Sequence, residues 1–384
     1  MKTLKAYKYR LYPSKAQRRV LDETLETCRR VYNDTLAYRK EVYETETRTA
    51  GYYETTKQLT QWKETNPYLP NVYSQVLQDV QRRVDKAYNN FFRRVKQGKE
   101  KPGFPRFKGH GRYDSFTYPQ SGFSILDNGR LRLSKIGDVK IKLHRPVEGT
   151  VKTLTVRRDA CGNWWVTFSC EVECEPQQPT GAIVGIDLGL SSIITTSDGQ
   201  HVEPPRFFRK GEQDLAKAQR KLALTEKGTT EQEKRRVIVA KVHRRIANQR
   251  NDFNHKLANK LVKDYDLICF EDLNVKGMVK NHCLAKSIVD ASWTQLVEFT
   301  QYKAVEAGKA VVTVDPRNTT KRCSKCGTLV EKDLSVRIHE CPQCGLVIDR
   351  DVNAAINILS LGLQALGVSP QKPPFSNGGV VTSH

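Results

Sequence analysis

Cys341-Pro-Gln-Cys344-Gly-Leu-Val-Ile-Asp349-Arg-Asp351-Val-Asn353-Ala-Ala355 joins two kinds of chemistry in one short span. Its CxxC unit answers Cys323-Ser-Lys-Cys326 upstream, with fourteen residues between the pairs. Such pairs read as a tetrahedral zinc site: each unit bends so that two thiolates face one ion, and Gly327 and Gly345 supply the turns. Four sulfurs leave the ion no open position. Cys323, Cys326, Cys341 and Cys344 are therefore expected to hold structural Zn²⁺, folding a loop that lacks a core of its own. A redox pair or unused thiols are the alternative readings, and His339 is not needed to complete the set. Five residues after Cys344 comes Asp349-Arg-Asp351, and from Asp351 a helical pattern runs to about Gly367. A metal ribbon thus leads straight into a carboxylate at a helix start.

Two other acids share a related setting. Asp187 ends the apolar strand Ala182-Ile-Val-Gly-Ile186, and Glu271 ends Leu267-Ile-Cys-Phe270. Carboxylates at two strand ends and one helix start can converge at one edge of a sheet. Hard cations prefer carboxylate oxygen, and paired Mg²⁺ ions roughly 3.5–4 Å apart stabilise both the attacking and the leaving oxygen of a phosphodiester. Any one of these acids alone would read as a polar residue ending a strand. Together, with a basic helical hairpin between the first two, Asp187, Glu271 and Asp351 are the candidate catalytic residues and magnesium ligands. Asp349 competes with Asp351 and could instead be a cap or a supporting partner. Asp272 alternates to the opposite face of its strand.

The charge balance fits that reading. Lys and Arg total 64 against 42 Asp and Glu, a formal net charge of +22 over 384 residues. An excess of this size calls for a polyanionic partner, because each neutralised phosphate releases counterions. No apolar run approaches bilayer length and no signal peptide opens the chain, so a membrane partner is not expected and the protein is placed in the cytoplasm. Six of the ten cysteines are scattered and read as small apolar residues in a reducing compartment. Cys170 and Cys174 could form a second metal site, although packing is the simpler reading.

The pattern predicts a multidomain α/β protein with a β-barrel. Residues 1–12 alternate as a strand, and 105–178 carry short strands with turns at Asn128-Gly129 and Gly162-Asn163. A helical block over 13–104 interrupts this barrel and opens with Ser14 and Gln17 as a capping box. An α/β domain spans 181–315 and resumes at 349–367, with the cysteine ribbon at 316–348. It contains a helical hairpin, 211–226 and 230–263, and one helix at 285–307. The Pro/Gly/Ser-rich stretch 368–384 is expected to be a disordered tail. Basic helical faces at 82–99 and 234–250 suit a nucleic-acid groove. Phe104-Pro-Arg106-Phe107-Lys108 suits base stacking, with core packing of its rings as the alternative.

The chain resembles the TnpB family, transposon-encoded RNA-guided DNA nucleases related to the smaller type V CRISPR effectors. The markers are Tyr9-Arg-Leu-Tyr-Pro13, Asn89-Asn-Phe-Phe92, Gly103-Phe-Pro-Arg-Phe107, Gly185-Ile-Asp187-Leu-Gly189, Glu271-Asp-Leu273, the cysteine ribbon and Asp349 to Ala355. They cover almost the whole chain. The resemblance implies a wedge-type barrel split by a helical recognition lobe, then a RuvC-like nuclease domain of RNase H-like fold with a zinc-ribbon insertion. It implies a guide RNA derived from the transposon end, and Mg²⁺-dependent cleavage of double-stranded DNA beside a short target-adjacent motif. By motif, Asp187, Glu271 and Asp351 match the metal-binding triad, and the four ribbon cysteines match the zinc ligands. Tyr52, Thr56, Gln75, Gln78 and Gln120 fall where family members read the adjacent motif. One chain with one RNA, near the nucleoid of a prokaryotic host, is the expected assembly. A catalytically inactive RNA-guided repressor or a zinc-ribbon DNA-binding regulator is the rival class. The presence of all three acids argues against it. A strand-transfer transposase is a third idea, but no residue marks a strand-transfer nucleophile.

Overall fold

A computed structural model describes residues 2–98, 101–333 and 335–367, so the expected tail at 368–384 lies outside the described residues. The chain divides into two compact units at residues 173 and 174.

The N-terminal unit begins with β1 (Lys2–Tyr12), whose Tyr7, Tyr9 and Leu11 point inward while Lys8 stays exposed. Helix α1 (Lys15–Glu46) starts on the capping box read from the sequence: Ser14 Oγ accepts from Gln17 N, and Gln17 Oε1 accepts from Ser14 N. Helix α2 (Tyr52–Thr65) and a 3₁₀ turn at Leu69–Asn71 lead into α3 (Ser74–Lys96). Strands β2 (Ser115–Tyr118), β3 (Phe123–Leu126), β4 (Arg130–Leu133), β5 (Gly137–Lys142), β6 (Thr150–Arg158) and β7 (Trp164–Glu173) follow. With β1 they form one antiparallel sheet in the order β2-β6-β7-β1-β5-β4-β3. The first strand in sequence therefore sits at the centre of the sheet. The sheet curls into a near-closed barrel. The Tyr118 hydroxyl of β2 donates to the Ser134 carbonyl just beyond β4, and the Tyr118 and Phe123 rings meet at 6.3 Å. Arg83 pins α3 to β2 through the Ser115 carbonyl and the Thr117 hydroxyl, both at 2.8 Å.

The C-terminal unit is built on β8 (Ile183–Asp187), β9 (Ile194–Thr196) and β10 (His201–Val202), an antiparallel meander. Helices α4 (Phe207–Ala223) and α5 (Thr230–Asp264) form the basic hairpin expected from the sequence. Strand β11 (Leu267–Glu271) then returns parallel to β8. A short α6 (Val275–Met278), then α7 (Ala285–Ala291) and α8 (Trp293–Ala307), precede β12 (Ala310–Val314), which is parallel to β11. One helix over 285–307 was expected. Ser292 adopts a left-handed conformation, φ 50°, and divides it into α7 and α8. The order β10-β9-β8-β11-β12 places three antiparallel strands beside two parallel ones, the RNase H-like arrangement. The ribbon hairpin β13 (Ile338–Glu340) and β14 (Val347–Asp349) leads into α9 (Arg350–Ala365).

Both faces of this sheet are covered, which explains why β11 is buried at every residue. Val184, Ile186, Ile268 and Phe270 pack with α5 and α8 through Leu257, Leu261 and Leu296. The alternate residues face α9: Leu267 and Cys269 pack with Ile358. That helix lies unusually close. A Cβ on Gly185 would stand 2.0 Å from the Ala355 carbonyl oxygen, and one on Gly362 would stand 2.2 Å from Cys269 Sγ. Among the described residues no helix is long and apolar enough to cross a membrane.

Candidate active site and metal centre

Strand periodicity carries two acids to the α9 face. Asp187 follows Gly185 by two residues, and Glu271 follows Cys269 by two. The pairs Cys269↔Gly185 and Phe270↔Ile186 set the register, so one further step puts Glu271 beside Asp187. Asp351 sits in the first turn of α9, at the same edge of the sheet. Asp349, its sequence competitor, is the N-cap: its Oδ1 accepts from the Asp351 and Val352 amides at 2.8 and 3.0 Å. That cap fixes the turn carrying Asp351.

Asp187 and Glu271 are each 7% exposed. Burial first, and then the charges of Glu271 and Asp351, push the Asp187 carboxyl up to about 8. Glu271 is also raised by burial, opposed by a hydrogen bond from the Thr319 hydroxyl at 2.5 Å. Asp187 is thus the acid held furthest from its ordinary charge state, by burial and by its two acidic neighbours. Their oxygens do not all lie within 4.8 Å of one another. Two arginines flank Asp351: Arg350 Nε at 3.2 Å from Oδ1, and Arg337 Nη1 at 3.7 Å from Oδ2. Arg337 also donates to the Ser191 hydroxyl at 2.8 Å. A buried set of hard oxygen donors with excess negative charge fits a divalent cation of the Mg²⁺ class.

The ribbon is built from two matching knuckles. Gly327 N donates to the Cys323 carbonyl and Gly345 N to the Cys341 carbonyl, while Cys323 N and Cys341 N donate to Thr328 and Leu346. Gly327 and Gly345 stand at φ 80° and 69°, a region that side chains disfavour. The four sulfurs lie within 4.8 Å of one another, with Cys323–Cys344 at 3.6 Å and Cys326–Cys341 at 3.5 Å. Four sulfurs around zinc at about 2.3 Å stand about 3.8 Å apart, so the set suits that ion closely. Hydrogen bonds with Thr328 draw the Cys326 thiol down to about 6, while burial raises Cys323, and at Cys344 the lowering by the Leu346 amide is outweighed by burial and the neighbouring sulfurs, which raise it. The cluster therefore suggests structural zinc. Cys170 is wholly buried in the barrel core, as packing would have it.

The five residues expected to read DNA fall along α2, α3 and the β2–β3 loop. Gln75, Gln78 and Arg82 share one face of α3 by helical spacing. Arg82 Nε donates to the Tyr52 hydroxyl at 3.0 Å, and Thr56 back-bonds to the Tyr52 carbonyl. Gln75 Oε1 accepts from the Ser121 hydroxyl at 3.4 Å, next to exposed Gln120. Phe104 and Phe107 are 42% and 51% exposed. Phe104 meets Tyr88 and Phe91 edge-on, and Lys40 lies over both rings.

Comparison with known proteins supplies the family. Residues 167–282 match the OrfB_IS605 family, described as "Probable transposase". Residues 293–358 match the "Cas12f1-like, TNB domain". A protein of Streptomyces pristinaespiralis named "Putative RNA-guided DNA endonuclease" is 39% identical over 97% of this chain and 94% of its own length. The Escherichia coli K12 protein "Putative RNA-guided DNA endonuclease InsQ" is 33% identical over 94% and 93%. The chain belongs to the TnpB family. Its fold is that of Cas12f: a solved "Cas12f1-sgRNA-target DNA complex" superposes with TM-score 0.56 at 15% identity, over 93% of this TnpB-family chain and 98% of that one. Residues 1–48 also match a model named "Helix-turn-helix domain". Among the described residues that span is β1 followed by the single helix α1.

Several site residues went unread in the sequence. Arg337 and Thr319 reach the acids only through the fold, and Arg350 stands next to Asp351 in the chain. Asn353 and Asn357 bind the Arg322 carbonyl at 2.8 and 2.7 Å, tying α9 to the ribbon entrance. The one available signal was a pair of amides one helical turn apart on an otherwise apolar face.

Proposed function

We propose that this chain is an RNA-guided, Mg²⁺-dependent endonuclease, encoded by a transposable element, that cleaves double-stranded DNA beside a short target-adjacent motif. The observation that carries the reading is the convergence of Asp187, Glu271 and Asp351 at one sheet edge, where Asp187 and Glu271 are buried and the other two acids raise the proton affinity of Asp187. Relatives covering nearly its whole length are named for RNA-guided DNA cleavage. The likeness to a complex of guide RNA and target DNA supports the same two partners here.

Asp187, Glu271 and Asp351 would hold the divalent ions. Mg²⁺ bound there supplies the positive charge that stabilises the attacking and leaving oxygens of the phosphodiester. Arg337 and Arg350 bring fixed cations to the same edge, where a phosphate arrives. The ribbon cysteines hold zinc and so fix the strand that feeds α9. Tyr52, Thr56, Gln75, Gln78 and Gln120 read the adjacent motif, with glutamine suited to bidentate pairing with adenine. A net charge of +22 serves the RNA and DNA backbones.

A plasmid-cleavage assay with the co-expressed flanking RNA tests this. Wild type should cut with Mg²⁺ and stop with EDTA, and Asp187→Ala should bind its target without cutting. Guided binding with no cleavage by the wild type would instead make this a repressor.

A further inference from the structure

We infer that Thr319 is a positioning residue for Glu271, and that Asn353 and Asn357 hold the strap bearing it, so that the entrance to the cysteine ribbon sets the geometry of the acid site. The inference rests on the reading of Asp187, Glu271 and Asp351 as the metal-binding set. Thr319 is 3% exposed, and its hydroxyl lies 2.5 Å from Glu271 Oε1 and 3.1 Å from the Pro316 carbonyl. A hydroxyl has one proton to give, and the shorter, charge-assisted contact takes it. The last torsion of a glutamate is broad and weakly held on its own. A donor on a stiff β-branched side chain removes that freedom.

The strap itself is clamped from α9. Asn357 Nδ2 donates to the Thr319 carbonyl at 2.8 Å and to the Arg322 carbonyl at 2.7 Å. Asn353 Nδ2 donates to the Arg322 carbonyl at 2.8 Å, and its Oδ1 accepts from Ser324 N at 2.9 Å. Both amides are buried beside Ala354, Ala355 and Ile358. Placing two amides in such a face is costly unless they are paired, and their partners are residues 319–324. The next residue after Arg322 is Cys323, the first sulfur of the ribbon. Glu271, Thr319, the two asparagines and the first knuckle are therefore one connected network. Outer partners of this kind typically alter metal affinity or activity by roughly 10–100-fold when removed.

Thr319→Val keeps the shape and removes the proton, while Thr319→Ser keeps the proton. Three quantities are measured on the RNA-loaded protein: cleavage rate against Mg²⁺, guided binding of target, and the Mn²⁺-induced rise in melting temperature, with Glu271→Gln as reference. Thr319→Val should lose roughly 10–100-fold in cleavage and much of the Mn²⁺ response, with target binding intact. Thr319→Ser should keep most of both. Wild-type cleavage and Mn²⁺ response in Thr319→Val, or an equal loss in Thr319→Ser, would overturn the inference. If Thr319→Val does not fold, Thr319→Ser against Thr319→Ala differs by the hydroxyl alone: Ser above Ala supports it, and equality overturns it. Glu271→Gln that cuts normally would sink the acid-site reading itself. Glu271→Gln dead beside a normal Thr319→Val would sink only the positioning role.

Discussion

The ribbon's four sulfurs lie within 4.8 Å of one another and come from Cys323–Cys344, whereas the three acids come from positions 187, 271 and 351 and stay more open. Each knuckle makes its own turn with its own backbone hydrogen bonds. Of the acids only Asp351 has local support of this kind, from the Asp349 cap. Their meeting depends on the register of β8 with β11 and on how closely α9 lies over the sheet. Metal donors fixed by local turns are already in place. Donors fixed by topology also carry a mutual repulsion, visible in the raised Asp187. Damage to the two regions should therefore look different.

The largest effect belongs to the acids. Asp351→Asn should abolish plasmid cleavage with little change in guided target binding, because it removes a charge without disturbing the cap at Asp349. Loss of target binding in step with cleavage would mean that the residue serves folding instead. The ribbon comes next. Metal analysis should return about one zinc per chain, and Cys341→Ser or strong chelation should lower the melting temperature as well as the activity, since structural zinc contributes to folding directly. A folded, reduced sample without zinc would remove the ribbon from this comparison. Gly185→Ala sharpens it further. A methyl 2.0 Å from the Ala355 carbonyl must push α9 off the sheet, at a cost of about 1–3 kcal/mol and with a disproportionate loss of cleavage. Unchanged melting and cutting would show that the helix need not lie so close. The smallest effect is at the α2–α3 strip: Gln75→Ala or Gln78→Ala should relax the motif preference by about 1–3 kcal/mol while leaving the cutting step unchanged. A motif screen that returns the wild-type preference would move the reading surface elsewhere.

The same contrast governs what could be read from the residues alone. Cysteine spacing is a local signal, as are the Ser14–Gln17 capping box and the alternation of β1, and each appears where the sequence put it. Candidate acids could be named because each ends an apolar run or opens a helix. What could not be read is whatever depends on two distant segments meeting. Gly185 and Gly362 look like ordinary small residues until α9 crosses the sheet. Thr319 looks like a loop residue until its hydroxyl reaches Glu271. The break at Ser292 carries no proline or glycine, so an unbroken helical pattern masked it.

If the three acids act as one site, their losses should not add. The decisive measurement is the guided cleavage rate of Asp187→Ala, Glu271→Gln, Asp351→Asn and the triple variant, each with target binding confirmed. The account predicts that any single change costs about as much as all three together, as for groups that work as a unit. Separate partial losses that multiply in the triple variant, or a single variant that still cuts at the wild-type rate, would contradict it.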